Sequence, residues 1–478
     1  MTAQDGETAA APGRGDAARP VDALAAMLDP GGELRDLAGD CVHCGFCLPA
    51  CPTYQLWGEE MDSPRGRIHL ITQILASGQG SAAAASHFDR CLGCMACMPA
   101  CPSGVQYNKL IEAARSWAEA PPRVIGVGPR GPAPLPARSR RDRAVRSAIF
   151  ATFPYPRRLR ALLAPLRAAQ ATGLDRLAAR SALLSRFAPE VAAALAVAPA
   201  SHASRERLPG RIPAKGQRRA VVGMLTGCVQ QVFFPQVNAA TARVLSAEGC
   251  DVIVPQGQGC CGALSLHGGR KAEAAEFASR SIAAFERAGV DAVIVNAAGC
   301  GSAMKEYGDL LAGATGWSGR AAAFSAKVRD FSEFLAELGS VAPRSELPLT
   351  VAYHDACHLG HAQRITSQPR GLLRAIPGLV LADIPDGGTC CGSAGIYNLL
   401  QPQTAAELGA RKANAVWATA ADLLVSANPG CSMQIAQSLA LAGHPLPTAH
   451  IAEVIDASIR ARPARALLRG GDYDVTST

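Results

Sequence analysis

From about residue 216 onward, short aliphatic and β-branched runs recur between longer alanine-rich stretches with helical spacing. The runs are Ala220–Leu225, Val252–Val254, Ala292–Val295, Leu349–Tyr353, Leu379–Ile384 and Leu423–Ser426. Continuous apolar runs of this length between helical segments predict strands buried on both faces, and their alternation with helices predicts α/β units with parallel sheets. Upstream the pattern is different. Residues 1–35, dominated by Gly, Pro and small side chains, predict a flexible lead-in with one short helix at Val21–Leu28. Residues 36–118 form a cysteine-rich segment whose amphipathic stretch Arg67–Ala76 predicts a helix between two cysteine runs. Residues 119–215 predict a helical connector: prolines 121, 122, 129, 132, 134 and 136, then helical spacing over Ala144–Phe150, Arg158–Gln170 and Leu174–Phe187. A flexible tail is expected over 466–478.

The α/β part repeats itself. Cys228 is followed 32 positions later by Cys260-Cys261-Gly262, with Cys300 39 beyond Cys261; Cys357 is followed 33 positions later by Cys390-Cys391-Gly392, with Cys431 40 beyond Cys391. Intervals that agree within one residue identify two homologous modules, expected over 216–345 and 346–465. The expected fold class is therefore α+β/α/β: a helical N-terminal domain, a helical connector and two repeated α/β Cys-Cys-Gly modules.

Composition narrows the reading. At 478 residues the chain exceeds what one core organises, and 49% hydrophobic with 18% charged residues excludes wholesale disorder. Seventeen cysteines, with no basic start, apolar run and small-residue cleavage site near the start, predict thiols in a reducing, cytoplasmic compartment that bind metal or do redox chemistry. No run reaches the roughly 18–20 apolar residues of a membrane span. The net charge of +8 is concentrated between Arg138 and Arg186, where twelve Arg face only Asp142 and Asp175. Aromatic residues scarcely interleave with these arginines, so nucleic acid is excluded as a partner. Anionic lipid, an acidic partner and plain solvation of connecting helices all suit such a segment.

The chemistry begins with Cys41-x2-Cys44-x2-Cys47-x3-Cys51-Pro52 and its copy, Cys91-x2-Cys94-x2-Cys97-x3-Cys101-Pro102. Both match the run of bacterial two-cluster ferredoxins. A cubane needs four thiolates from separate corners; C-x2-C-x2-C supplies three from one loop, and the next cysteine, starting a helix that points away, reaches the other cluster. The spacing thus predicts two [4Fe–4S] clusters, one on Cys41, Cys44, Cys47 and Cys101 and one on Cys51, Cys91, Cys94 and Cys97. Zinc sites use paired C-x2-C units and gain nothing from interlocked runs. Small residues beside the ligands, Gly45, Gly93 and Ala96, leave N–H groups free for cluster sulfurs. Arg65 and Arg67 read equally well as positive potential near a cluster or as the solvated start of a helix.

In the modules each cysteine group falls where a strand ends, and ligands of open parallel sheets collect outside those ends. Cys228, Cys260, Cys261 and Cys300 are thus candidates for one site, and Cys357, Cys390, Cys391 and Cys431 for another; buried inert thiols are the alternative. Cys250, on a strand approach, reads as packing. His354, His358 and His361 surround Cys357, as ligands, proton carriers or hydrogen-bonding wall residues.

These residues carry a resemblance. CVHCGFCLPACPTYQLWGEEMDSPRGRIHLI, DRCLGCMACMPACPSGVQY, GCCGA, AAGCG and CCGSAGIYNLLQP resemble the iron–sulfur subunits of glycolate oxidase. That family lies within a larger group whose members also serve anaerobic glycerol-3-phosphate dehydrogenase, lactate utilisation and heterodisulfide reductase. The resemblance implies an oxidoreductase subunit that carries electrons while two flavoprotein-type partners, bearing the FAD, oxidise glycolate to glyoxylate. It further implies delivery to a quinone or other acceptor, with peripheral contact at the cytoplasmic face of the inner membrane. The alternatives are the equivalent subunit of a D-lactate or glycerol-3-phosphate dehydrogenase, or a heterodisulfide-reductase-like thiol enzyme. Modules of that reductase end in C-x2-C, whereas here Cys300 precedes Gly301, Ser302 and Ala303, and Cys431 precedes Ser432, Met433 and Gln434. The resemblance therefore does not carry over its noncubane cluster, and the four thiolates of each module remain candidates for a further iron–sulfur cluster.

Overall fold

The structure, a computed structural model, describes residues 29, 31–77, 80–119, 138–172, 208–385 and 387–468. The helix expected at 21–28, the prolines of 121–136 and the connector helix expected at 174–187 lie outside the described residues. In the cysteine-rich segment, helices Glu33–Gly39, Pro64–Ser77, Ala82–Arg90 and Tyr107–Glu119 enclose a core of Ile68, Ile71, Phe88, Leu110, Ile111 and Trp117, into which Cys91 and Cys97 also pack. Metal-ligand candidates are thus part of the hydrophobic core.

Among the described residues nine strands follow: β1 (Arg211–Ile212), β2 (Ala220–Met224), β3 (Cys250–Ile253), β4 (Ala292–Val295), β5 (Val328–Asp330), β6 (Leu349–His354), β7 (Leu379–Ala382), β8 (Leu423–Ser426) and β9 (Thr448–His450). They form two sheets, ordered β1-β3-β2-β4-β5 and β7-β6-β8-β9; every pair is parallel except β1 with β3. Leaving aside the two-residue β1, the order of connection is the same in both. The chain moves outward from the first strand, returns to its other side and continues to the far edge. Strand order reverses between β2 and β4 and between β6 and β8, which is where a crevice opens beyond the strand ends. The expected repeat is thus a repeat of topology. β1, β5 and β9 carry no sequence signal, because they are only two or three residues long and mix polar with apolar side chains, too short for an apolar run.

The modules share one core, in which Val222, Met224 and Val244 pack with Val351, Tyr353, Val425 and Val454. Polar ties cross it. Arg243, on helix Pro235–Ala247, grips Asp456, on helix Ile451–Ile459, at 2.8 Å. Asn296, just beyond β4, donates to Asn238 Oδ1 and Thr241 Oγ1, while its carbonyl accepts from His450 Nε2 at 2.9 Å. His450 also caps the helix it precedes, its Nδ1 accepting from Ala452 N. One neutral imidazole thus serves both modules.

Burial holds the pKa of His450 down to about 4. A folded value below the unfolded one means that the unfolded chain takes up the proton first, so stability present above about pH 6.5 is lost as the pH falls to 4, by about 3 kcal/mol in all. Urea unfolding at pH 7 and pH 5 should show about 2 kcal/mol of this loss. H450N, which keeps a helix cap but not the imidazole, should flatten the pH dependence; an equally steep loss in the variant would contradict the assignment.

Candidate metal centres

The two cysteine runs fold alike. Left-handed backbone recurs at matching positions, His43 and Gly45 in one loop, Gly93 and Met95 in the other. The same turn bonds follow: Leu48 N to Gly45 O and Cys51 N to Leu48 O, Met98 N to Met95 O and Cys101 N to Met98 O. Left-handed residues between right-handed ones turn successive N–H groups inward, the backbone form that cradles anions and cluster sulfurs. Cys41, Cys44, Cys47 and Cys101 line one cavity with Ile68, Val105 and Tyr107. Cys97 reaches the wall of the same cavity. The other four, Cys51, Cys91, Cys94 and Cys97, are all buried. In one respect the runs differ from expectation: Cys51 caps helix Pro52–Trp57, but Cys101 leads into a turn, and the next helix starts only at Tyr107.

Positive charge is built into the buried set. Arg67, 1% exposed, bonds Asp62 Oδ1, Thr53 Oγ1 and His87 O, and Cys51 Sγ lies 3.2 Å from the same Thr53 hydroxyl. Arg67 is therefore a core residue rather than a solvated helix start. Arg65 is more exposed and spans Glu60 and the His43 carbonyl. Burial raises the Cys91 thiol, yet the charges of Arg67 and Arg115, with N–H donation from Gly93 and O–H donation from Tyr107, hold it below its ordinary value. Cys97 is pushed well up by burial and by its neighbouring cysteines. Arg115 and Tyr107, on helix Tyr107–Glu119, carry no local sequence signal and act through the fold.

In the first module the free thiols of Cys228 and Cys260 lie 3.6 Å apart, sulfur to sulfur, and Cys261 and Cys300 form a second hydrogen-bonded pair. In the second, Cys357 pairs with Cys390 and Cys391 with Cys431. Each quartet expected to converge is brought together. The glycine of each Cys-Cys-Gly is explained by geometry. Gly262 and Gly392 are left-handed, at φ +80° and +88°, and a Cβ there would stand 3.0 Å from Ala274 O or 2.7 Å from Ala405 O. Their N–H groups donate to Cys260 Sγ and Cys390 Sγ at 3.3 and 3.5 Å.

The histidines separate. His354 is buried beside Cys391 and Cys431. His358 Nδ1 lies 3.7 Å from Cys357 Sγ, and its ring rests 5.0 Å from that of His267, which is tied to Glu112 at 2.9 Å. His361 bonds the Gly388 carbonyl and is a wall residue. Cys250 is fully buried in β3, as packing requires.

The second module adjoins the dicluster segment: Leu92, Cys94 and Ala96 pack with Cys357, Cys390 and Tyr397, and Tyr397 donates to the carbonyl of Arg90. In the first module Cys228 and Cys260 instead pack with Tyr155, Val229 and Phe277. The basic connector is only partly solvated. Arg138 and Arg146 are held by Asp89, Glu119 and Asp142, while Arg140, Arg141, Arg143, Arg157, Arg158 and Arg160 are exposed. No helix among the described residues is long and apolar enough to cross a membrane.

Comparison with known families agrees with this layout. Residues 38–105 match a 4Fe-4S dicluster domain, residues 141–198 the linker region of the glycolate oxidase iron-sulfur subunit, and residues 222–305 and 351–436 a cysteine-rich domain, twice. The chain is 37% identical to a probable glycolate oxidase iron-sulfur subunit of Bacillus subtilis, over 83% of this chain and 88% of that one. It is 36% identical to the glycolate oxidase iron-sulfur subunit of Escherichia coli, over 85% and 91%. A lactate utilization protein A of Halalkalibacterium halodurans is 31% identical over 50% of this chain and 98% of its own length.

Stranding one partner of a buried ion pair costs about 3–5 kcal/mol; Asp62 keeps Arg90 at 3.1 Å and His87 at 2.9 Å, so loss of Arg67 costs less than that. R67M should lower the urea midpoint accordingly and reduce the iron retained per chain. An unchanged midpoint would show that Asp62 does not depend on Arg67.

Proposed function

Because the chain belongs to the family of glycolate oxidase iron–sulfur subunits, we propose that it is the electron-transfer subunit of a glycolate-oxidising complex. Two flavoprotein partners remove two electrons and two protons from glycolate, giving glyoxylate, and this chain conveys the electrons to a quinone or another acceptor. Cys41, Cys44, Cys47 and Cys101 hold one [4Fe–4S] cluster and Cys51, Cys91, Cys94 and Cys97 the other. When bound, such clusters take up and release single electrons, which a flavin that collects electrons in pairs requires of its outlet.

The observation that carries this reading is the meeting of Cys101 with Cys41, Cys44 and Cys47 in one cavity, in a chain that matches these subunits along most of its length. The remaining roles follow from the chain's own residues. Cys44 is exposed and flanked by exposed Val42 and Phe46, a surface suited to a partner that delivers electrons. Arg67 and Arg115 offset the thiolate charge of the buried set. Cys94, packed against Cys357 and Cys390, leads into the second module rather than the first. The exposed arginines of the connector suit peripheral contact with anionic lipid.

The test uses the complex isolated anaerobically with its partners and offered glycolate, D-lactate or glycerol 3-phosphate in turn while cluster absorbance is followed. Glycolate alone should bleach it. Bleaching by one of the others instead would move the chain to a sister complex, and bleaching by dithionite only would contradict a role in oxidising any of the three. C101S and C51S should each lose one cluster and leave flavin reducible by glycolate, with electron delivery to an external acceptor lost. Unimpaired delivery would overturn the ligand assignment.

A further inference from the structure

The two Cys-Cys-Gly sites are built from matching cysteines, and their walls are not alike. Three residues before its first cysteine the first module has Leu225, and the second has His354; five before its last cysteine the first has Val295, and the second has Ser426; three before it stand Ala297 and Asn428. At each of these positions an apolar residue in one module is replaced by a polar one in the other.

The polar set converges on the cysteines. His354 ends β6 and is registered opposite Ser426, which ends β8, so both stand where strand order reverses. Asn428 Nδ2 lies 3.4 Å from Cys431 Sγ. The donor atoms of His354, Cys391 and Cys431 lie within 4.8 Å of one another. His354 is 1% exposed, yet neither ring nitrogen has a nitrogen or oxygen partner, and the Ser426 hydroxyl has none either. The one side chain that engages the ring is Cys391, through its sulfur; an unpaired buried polar group costs about 1–3 kcal/mol, so the nitrogen left over is expensive unless something outside the polypeptide takes it.

We propose that His354 is a metal ligand: the second module holds an iron–sulfur group on a mixed set of thiolates and one imidazole, with His354 joining Cys391 and Cys431. This rests on the iron–sulfur reading above and extends it to a residue and a ligand type. Imidazole is a neutral donor, and replacing thiolate by imidazole raises the potential of an iron–sulfur centre. The second module is also the one whose cysteines touch the dicluster segment, through Cys94, so the centre of raised potential lies next in line and draws electrons onward. The first module, with Leu225 in the same place, has no such ligand.

The experiment is pulsed EPR on the full chain, isolated anaerobically with its partners and poised so that the module centre is paramagnetic. The wild type should show the coupling of a directly bound nitrogen, altered when the chain is labelled with 15N-histidine. H354L, which copies the first module, should lose that coupling while the dicluster signals persist. H354C, which offers a thiolate and guards against mere misfolding, should keep the iron, lack the nitrogen coupling and titrate at a lower potential. Iron at the second module without nitrogen coupling, a coupling that survives H354L, or a second module that holds zinc or no iron would each overturn the proposal while normal dicluster signals leave the reading above standing. Loss of the dicluster signals in the wild type would overturn that reading as well.

Discussion

Burying thiolate charge is the constraint on which the rest of the structure depends. Sixteen of the seventeen cysteines fall into four sets of four, most of them out of contact with water, where an uncompensated anion is costly. The chain answers with whatever positive or donating groups the local backbone can bring. In the dicluster segment these are left-handed loop residues that turn N–H groups inward, and two guanidinium groups, of which Arg67 is itself buried and needs Asp62 and Thr53 to hold it. In the modules the glycine of each Cys-Cys-Gly frees an N–H for the first sulfur, and its missing Cβ lets the turn close against the following helix.

That compensation also couples the parts of the chain. Arg115 reaches from helix Tyr107–Glu119 to the carbonyls of Cys91 and His267, tying the dicluster segment to the first module. Tyr397 donates to Arg90 O and ties it to the second. His267 lies beside His358 with its ring tilted and bonds Glu112, while burial and the charge of Glu112 push the nearby Glu306 up to about 7. The modules therefore present their cysteine sites towards different surroundings, one backed by the connector through Tyr155, the other by the dicluster loops. Duplication supplied two similar sites, and packing made them unequal.

Much of this was legible in the sequence because it is local. Ala292–Val295 and Leu423–Ser426 are strands whose ends coincide with their apolar runs, and the repeated cysteine intervals reflect a repeated topology. What was not legible depends on partners distant in sequence. Arg67 looked as much like a solvated residue as a core one because Asp62, Thr53 and the His87 carbonyl close around it only in the fold. Arg138 and Arg146 looked like part of a uniform basic stretch, although Asp89 and Glu119 claim them. His354, His358 and His361 were indistinguishable by spacing; only burial and hydrogen bonding separate a residue facing two cysteines from one that faces Cys357 alone and one that ties a loop.

The proposed function depends on the proposed crossed ligation, in which each N-terminal cysteine run gives three ligands to one cluster and its fourth to the other, with Cys97 at the wall of the first cavity. The direct measurement is EPR of the full chain after reduction by dithionite, since two neighbouring reduced [4Fe–4S] clusters broaden and split one another's spectra through their magnetic interaction. Such a spectrum in the wild type, collapsing to that of a single isolated cluster in C101S and in C51S, is the predicted result. Two non-interacting signals, or a wild-type spectrum with one cluster only, would contradict it.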